Sequence, residues 1–118
     1  MTVDEFISRL DSEPDFISFE LTMDIIAEHY DYTPCRFTNG TGDDTVINEA
    51  GENEGSCKLF AFAKLNKLSE AETLNCFGQY YREDVLSHPD KTDHANIRHF
   101  MQHGWGGVHF DAIPLQEK

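Results

Sequence analysis

Apolar side chains recur every three or four positions in four segments of the chain, the spacing that places them along one face of an α-helix. The predicted helices span residues 3–11, 19–30, 70–87 and 93–103. Thr2 and Ser69 precede the first and third helices, and each is followed three residues later by a glutamate, which is the pattern of a capping box. Ser18 is the expected N-cap of the second helix, and Asp93 or Thr92 that of the last. The apolar faces predict that these helices pack on a common core.

Residues 35–38 and 45–48 carry β-type side chains, and the turn-forming residues between them predict a hairpin. The run 57–65 is apolar on nearly all sides, so it forms either a buried helix or a buried strand; its alanines, its length and the preceding glycine favour the helix. Residues 105–110 form a short strand or an extended cover. The order of elements predicts an α+β fold, a mostly helical small single domain with a short β-hairpin packed on four to five helices.

The charge of the chain limits the partners that it can have. Of its 118 residues, 22 are acidic and 9 are basic, and the net charge is −13. A surface this acidic repels phosphate backbones and anionic lipids, so we expect neither nucleic-acid nor membrane binding. No apolar run approaches a membrane span, and the N-terminus lacks the basic and apolar regions of a signal peptide.

The cysteines indicate the redox compartment. Cys35, Cys57 and Cys76 are an odd number without a CxxC pair, which fits free thiols in a reducing environment. We therefore expect a cytoplasmic protein, and one of this size to be monomeric or weakly dimeric.

Four strings of the sequence are distinctive together: residues 29–34 (HYDYTP), 48–58 (NEAGENEGSCK), 76–85 (CFGQYYREDV) and 93–98 (DHANIR). On these strings the chain resembles the HopJ type III effector family over about residues 5–115. The resemblance implies a bacterial protein that a type III system delivers from the bacterial cytoplasm into a host cell, to act by binding a protein partner. It implies no particular reaction, substrate or catalytic residue.

The loop before the apolar run is the most unusual stretch of the chain in its composition. Residues 48–56 hold three carboxylates, two carboxamides and two glycines, and we predict a ligand pocket between residues 48–57 and the last helix. The hypothetical ligand-binding residues are Asn48, Glu49, Asn53, Glu54, Cys57, Arg82, His94 and Arg98. Glu49 and Glu54 could form an acid–base pair or a site for a hard cation. Alternatively, Asn53 caps a helix and Glu54 favours its dipole.

An enzyme would have to work through Glu49, Glu54, Cys57 or His94. Cys57 lies at a helix start, where unpaired N–H groups would lower its pKa and favour the thiolate, with His94 as the base. The alternative is a small buried residue, because apolar side chains follow at once.

Arginines are few in this acidic chain, so each one is informative. The expected partners of Arg82 and Arg98 are the carboxylates of Glu49, Glu54 or Asp84. The alternative is that they anchor a small anionic ligand, since a guanidinium suits bidentate recognition of carboxylates.

His99 and His103 are four residues apart, so they share one face of the last helix and could bind a divalent metal. Glu49, Glu54 or His109 would supply the third ligand. The alternative is two surface histidines near a helix C-terminus, where the helix dipole favours a positive charge. We expect no other cofactor.

Motifs for nucleotide loops, nucleophile elbows and zinc proteases are absent from the sequence. We therefore expect a binding protein rather than an enzyme, and by resemblance a HopJ-type effector that acts through a protein partner. A cytoplasmic housekeeping protein that binds a small ligand or a metal is the first alternative. A small enzyme that uses the 48–57 loop is the second.

Overall fold

Five α-helices and two small antiparallel sheets make up the protein in a computed structural model, which describes residues 1–118. The α-helices are α1 (Val3–Ser12), α2 (Phe19–His29), α3 (Glu54–Leu65), α4 (Glu70–Cys76) and α5 (Ala95–His103). The remaining helical turns are a π-helical turn at Tyr80–Val85 and 3₁₀ turns at Pro14–Phe16 and Gly104–Gly107. The strands are β1 (Tyr30–Tyr32), β2 (Phe37–Thr41), β3 (Asp44–Asn48), β4 (Val108–Phe110) and β5 (Leu115–Glu117). Helical residues make up 53% of the chain, so the prediction of a mostly helical α+β fold is confirmed.

The predicted N-caps of the first, second and fourth α-helices are confirmed. Thr2 and Ser69 form complete capping boxes with Glu5 and Glu72, and the Ser18 hydroxyl accepts a hydrogen bond from the main chain of α2. Each of these side chains pairs main-chain N–H groups that a helix end otherwise leaves free.

The predicted hairpin forms from β2 and β3, which pair antiparallel with Phe37 opposite Asn48. β4 adds to the other edge of β2, so one alternative for residues 105–110, a short strand, is confirmed. The turn is tighter than predicted, because Asn39 and Gly40 belong to β2. Asn39 fits within a strand because its side chain is fully buried and bonded to other amide groups.

The second sheet was not apparent from the sequence. β1 and β5 pair antiparallel, with Asp31 opposite Gln116. Each strand is three residues long and nearly the whole chain separates them, so no local pattern marks the pairing. The sheet binds the C-terminal segment to the end of α2.

The run at residues 57–65 is a buried helix, as favoured, and the helix α3 begins earlier, at Glu54. Phe60 is fully buried at its centre. The aromatic rings around it, at 5.0–6.3 Å between centroids, are those of Phe37, Phe77, Phe100 and Trp105. These rings come from the sheet, the residue after α4, α5 and the turn that follows α5, so α3 is the axis on which the other elements pack.

The prediction of one helix over residues 70–87 is wrong. α4 ends at Cys76, Gly78 has a φ of +60°, and the chain continues as the π-helical turn. A Cβ at position 78 would lie 2.5 Å from the main-chain nitrogen of Phe19, so only glycine allows the close approach of the two segments. The apolar spacing continues across the break because Phe77 and Val85 on either side are both buried in the same core.

The predicted start of the last helix is also wrong, because neither Asp93 nor Thr92 caps it. α5 begins at Ala95, and His94 before it is left-handed, with a φ of +52°. The Asp93 carboxylate instead pairs with Arg98 at 2.8 Å, so it is not free to cap.

No helix of the protein combines the length and the apolar character needed to cross a membrane.

Candidate functional site

A cleft of about 410 Å³ lies between the first turns of α3 and α5. Its apolar wall is Phe19, Val46, Phe77, Tyr80 and Ile97, and its polar and small residues are Asn53, Gly55, Ser56, His94, Ala95 and Asn96. The predicted pocket between residues 48–57 and the last helix therefore corresponds to a cleft in the structure. Of the eight hypothetical ligand-binding residues, the cleft brings together Asn53 and His94.

Both helices begin at the cleft without a side-chain cap. Asn53 is left-handed, with a φ of +49°, and makes no capping hydrogen bond to α3, so the predicted role of Asn53 as a cap is wrong. Its amide donates to the Oδ1 of Asn48 at 2.7 Å instead. The main-chain N–H groups of Glu54, Gly55 and Ser56, and those of Ala95 and Asn96 in α5, have no hydrogen-bond partner in the protein.

Buried asparagines hold the two helix starts in position. The amide of Asn96 donates to the Oδ1 of Asn48 at 2.9 Å, and the amide of Asn39 donates to the main-chain oxygen of Asn96 at 2.8 Å. Asn39 and Asn48 are fully buried, and Asn96 is 6% exposed. Together with Asn53 they form an asparagine cluster that joins the hairpin, α3 and α5. Asn48 and Asn53 were predicted as site residues, but Asn39 and Asn96 were not, because asparagine is mostly an exposed residue and no local pattern marks a buried one.

His94 is held over the cleft by contacts on two sides. Its Nε2 lies 3.1 Å from Oδ2 of Asp84, and its ring stacks on Tyr80 with 5.3 Å between centroids and 28° between planes. Tyr80 in turn packs against the ring of Phe19 at 5.1 Å. The chain thus presents a continuous aromatic surface beside the unpaired N–H groups.

Cys57 does not have the reactive environment that was predicted. Its side chain is 1% exposed and its thiol donates to the main-chain oxygen of Cys35 at 3.8 Å. Burial raises the pKa of the Cys57 thiol to about 11, so the predicted lowering by the helix start is wrong and the alternative of a small buried residue holds. His94, the predicted base, pairs with Asp84.

The arginines have structural partners other than those predicted. Arg82 donates to the main-chain oxygens of Pro14 and Ile17, at 3.0 and 2.6 Å, and so holds the segment before α2. Arg98 donates to the main-chain oxygen of Asp93 at 2.6 Å and to its carboxylate. The predicted pairing of either arginine with Glu49, Glu54 or Asp84 is wrong, and neither lines the cleft.

The two acidic residues predicted as a pair are placed separately. Glu49 pairs with Arg36, with 3.4 Å between Oε1 and Nε, outside the cleft. Glu54 opens α3 beside Tyr32, and it does not line the cleft either. No acidic residue therefore lines the cleft.

His99 and His103 share one face of α5, as predicted, and both contact Asp44 at the end of the hairpin. The Nε2 atoms lie 2.9 Å from Oδ1 and 2.6 Å from Oδ2 of Asp44. The predicted third ligands, Glu49, Glu54 and His109, take no part. No three or more His, Cys, Asp and Glu side chains form a group that could hold a metal ion. The hydrogen bond from His103, with His99 beside it, holds the pKa of the Asp44 carboxyl below its usual range.

Comparison with known proteins assigns the chain to a family. The model of the HopJ type III effector protein family matches residues 3–115. The chain belongs to this family. It is also similar to a solved crystal structure, that of the unknown-function protein VPA0580, with 50% sequence identity and a TM-score of 0.94 over 100% of this chain and 95% of that one. No curated protein matches the sequence.

The cleft of this HopJ family member combines two features of small-molecule sites. Part of the lining is aromatic and apolar, and part consists of the first residues of two helices, whose main-chain N–H groups are unpaired. Such an arrangement can bury a flat group of a ligand and donate hydrogen bonds to acceptor atoms of that ligand. These groups can bind a ligand, and binding requires no nucleophile.

Proposed function

We propose that this HopJ family protein binds a small molecule in the cleft between α3 and α5, and acts by binding rather than by catalysis. The observation that supports the proposal is the cleft of about 410 Å³ itself, which is lined both by aromatic side chains and by helix-start residues with unpaired main-chain N–H groups. Cavities of this size with a mainly apolar lining and a few convergent polar groups are the usual form of ligand sites.

The residues on which an enzyme would depend do not meet in the cleft. The Cys57 thiol is covered and bonded to a main-chain oxygen, and Glu49 pairs with Arg36 on another surface. His94 reaches the cleft, but its contacts with Asp84 and Tyr80 fix the ring as part of the wall. A binding role requires only the aromatic side chains and main-chain N–H groups of the residues that line the cleft.

A fragment screen followed by ¹H–¹⁵N NMR tests this proposal. We expect a subset of fragments to shift the amide signals of Gly55, Ser56, Ala95 and Asn96, which line the cleft. Val46→Phe places a ring in the cleft and should abolish these shifts. Ile47→Phe is the matched control, because Ile47 is 54% exposed on the opposite face of β3. A screen in which no fragment moves these four signals, or in which both variants respond like the parent, would contradict the proposal.

The effector role is a second candidate function, favoured by the family match over residues 3–115. In this proposal the protein starts in the bacterial cytoplasm, is delivered by a type III system and binds a host protein as a monomer or weak dimer. A translocation reporter fused after Lys118 tests it in a bacterium that encodes the chain. Delivery that is lost in a strain without the export apparatus supports the role, and equal retention in both strains contradicts it.

The metal hypothesis for His99 and His103 stays a prediction. Native mass spectrometry after zinc addition tests it, because bound zinc adds a defined mass and His103→Ala should remove that mass. A spectrum without the added mass at saturating zinc would reject it.

A further inference from the structure

We propose that a groove beside the C-terminal half of α3 is a docking surface for a partner protein, and that it takes an acidic segment with an exposed apolar side chain. The groove, termed here the α3–β5 groove, has a volume of about 420 Å³ and lies between α3 and the segment that joins β4 to β5. Its apolar lining includes Ala61, Leu65, Phe110, Ile113 and Leu115, and Lys64 is the one charged residue of the lining.

The inference deepens the second proposed function, because it rests on the protein acting through a protein partner and names the surface and the chemistry of that partner. It does not depend on the cleft between α3 and α5, which shares no lining residue with the α3–β5 groove. Binding at the groove is measured on the purified chain, so it stands or fails whether or not a type III system delivers the protein.

The first support is a set of apolar side chains that the fold leaves in water. Ile113 is 69% exposed, the highest value among the large hydrophobic residues of the chain, and Leu65 is 52% exposed. Ala61 and Leu115, which also line the groove, are buried and connect this surface to the core. Single exposed apolar residues are ordinary on a protein, whereas a groove that gathers several is typical of a surface that binds another molecule.

The second support is the charge at the groove. Lys64 forms no ion pair, although the chain has 22 acidic residues. Its Nζ lies 5.7 Å from the centre of the Phe110 ring, so the ammonium group stays over the wall of the groove. Two carboxylates lie within two residues of the lining: Asp111 pairs with Arg36, and Glu117 forms no ion pair. The groove therefore presents an unpaired positive charge beside apolar surface in a chain that is strongly negative.

A second lysine extends this charge along α3. Lys58 precedes Leu65 by seven residues and so lies on the same face of the helix. Its Nζ lies 4.8 Å from the centre of the Tyr32 ring, and Tyr32 is opposite Leu115 in the sheet. Glu54, one turn before Lys58, lies beside Tyr32 and does not form an ion pair with the lysine. An acidic segment that lies along α3 would meet Lys58 as well as Lys64.

An acidic segment of another protein fits both features of the groove. Its apolar side chain would cover Leu65 and Ile113, and its carboxylates would meet the two lysines. An extended strand and a helix can each lay one apolar face in a groove of this kind. A second copy of the chain fits less well, because symmetric pairing of this face would bring the lysines of both copies together.

Selection from a random peptide library displayed on phage, with the folded full chain as the target, tests the inference. We expect the enriched peptides to carry a net negative charge and at least one large apolar residue. The most enriched peptide is then synthesised as the probe, and it should shift the amide signals of Leu65, Ala112, Ile113 and Leu115. Enrichment of basic or uncharged peptides would overturn the charge assignment. A selection without enrichment, or a probe that leaves these four signals unchanged, would overturn the docking surface.

Ile113→Ser tests the apolar half of the surface. Because Ile113 is mostly exposed, we expect the melting temperature to stay unchanged and the probe peptide to bind about ten-fold or more weakly. Ile47→Ser is the matched control, because Ile47 is 54% exposed on β3, and it should bind like the parent. Val46→Phe, which fills the cleft between α3 and α5, should also bind like the parent. Equal losses in Ile113→Ser and either of these variants would overturn the assignment to the groove.

Lys64→Glu tests the charge. We expect it to weaken binding of the probe about ten-fold or more, and Lys64→Gln to weaken it by up to about five-fold. Added salt should weaken binding to the parent, because it screens exposed charges. Lys91→Glu changes the net charge equally at an exposed position before α5, and should have little effect. Equal affinities of Lys64→Glu and Lys91→Glu would overturn the acidic partner.

Two further results separate this inference from its alternatives. In sedimentation, a dimer of the parent that Ile113→Ser dissociates would assign the groove to a second copy of the chain and overturn the partner named here. If the probe binds at the groove and the translocation reporter shows no delivery, the effector role fails while the docking surface stands. If delivery occurs but the probe binds elsewhere, the effector role stands and this inference fails.

Discussion

Asn48 and Asn96 exchange side-chain hydrogen bonds. The Nδ2 of Asn96 donates to Oδ1 of Asn48 at 2.9 Å, and the Nδ2 of Asn48 donates to Oδ1 of Asn96 at 3.2 Å. The pair joins the end of β3 to the first turn of α5, and Asn53 adds the start of α3 through its bond to Asn48. Buried amides thus hold the two helix starts beside each other and so maintain the cleft.

The asparagine cluster should contribute strongly to stability. Asn96→Ala removes one partner from Asn39 and two from Asn48, and leaves buried amide groups partly unpaired. We expect the free energy of unfolding to fall by about 2–3 kcal/mol, measured by urea denaturation. Gln102→Ala, at an exposed position of the same helix, should change it by less than about 0.5 kcal/mol. Equal effects of the two variants would show that the cluster is not stabilising.

Gly78 should be intolerant of any side chain. Gly78→Ala combines a left-handed residue with a Cβ that would lie 2.5 Å from Phe19 N, so we expect a loss of about 3 kcal/mol or more. Gly42→Ala is the matched control, because Gly42 has a φ of +55° with open space around it, and it should cost about 1 kcal/mol. Denaturation midpoints measure both, and similar losses would show that backbone conformation alone, without the close approach, accounts for the effect.

Helix starts were predictable where the sequence contains a local cap, as at Thr2, Ser18 and Ser69, because a cap depends on neighbouring residues only. The break at Gly78 was not, since the apolar spacing continues across it and the reason for the break lies against Phe19, far away in the sequence. The pairing of β1 with β5 was missed for the same reason.

The three cysteines should be unreactive in the folded protein. Cys35, Cys57 and Cys76 are all buried, and burial raises the pKa of the Cys57 thiol to about 11. At about pH 8 its thiolate fraction is therefore about one in a thousand. A disulfide reagent such as DTNB should detect almost no thiol in the native protein and three in denaturant. Fast reaction of one native thiol that Cys57→Ala removes would contradict the buried placement.

The general position of the cleft was predictable, and its chemistry was not. The polar loop at residues 48–57 marks a helix start, and His94 precedes another, which was enough to place the pocket. Arg82 and Glu49 were expected there, but Arg82 bonds to the main-chain oxygen of Ile17 and Glu49 pairs with Arg36. Such pairings depend on the tertiary fold, which the local sequence does not reveal. The unpaired main-chain donors carry no side-chain signal, since every residue type has the same N–H group.

Arg82 should be required for its shape as well as its charge. Its guanidinium donates to the main-chain oxygens of Pro14 and Ile17, an arrangement that a single ammonium group cannot reproduce. We expect Arg82→Lys to lower the free energy of unfolding by about 1–2 kcal/mol in urea denaturation. Arg36→Lys, the same change at a more exposed ion pair with Glu49, should have an effect below about 1 kcal/mol. A smaller effect at Arg82 than at Arg36 would argue against this role.

Asp44 should make stability depend on pH in a defined direction. Hydrogen bonds from His103 and His99 hold the pKa of this carboxyl below its unfolded value of about 3.9, so folding favours its ionised form. The contribution is complete above the unfolded pKa and is lost as the pH falls through the lower folded pKa. Asp44→Asn should therefore be less stable than the parent at about pH 6, and the difference in urea midpoint should shrink as the pH falls below about 4. Asp43→Asn, a change in the adjacent turn residue, serves as the control because Asp43 forms no ion pair. A difference between Asp44→Asn and the parent that stays constant over this pH range would show that the two histidines do not act through the Asp44 carboxylate.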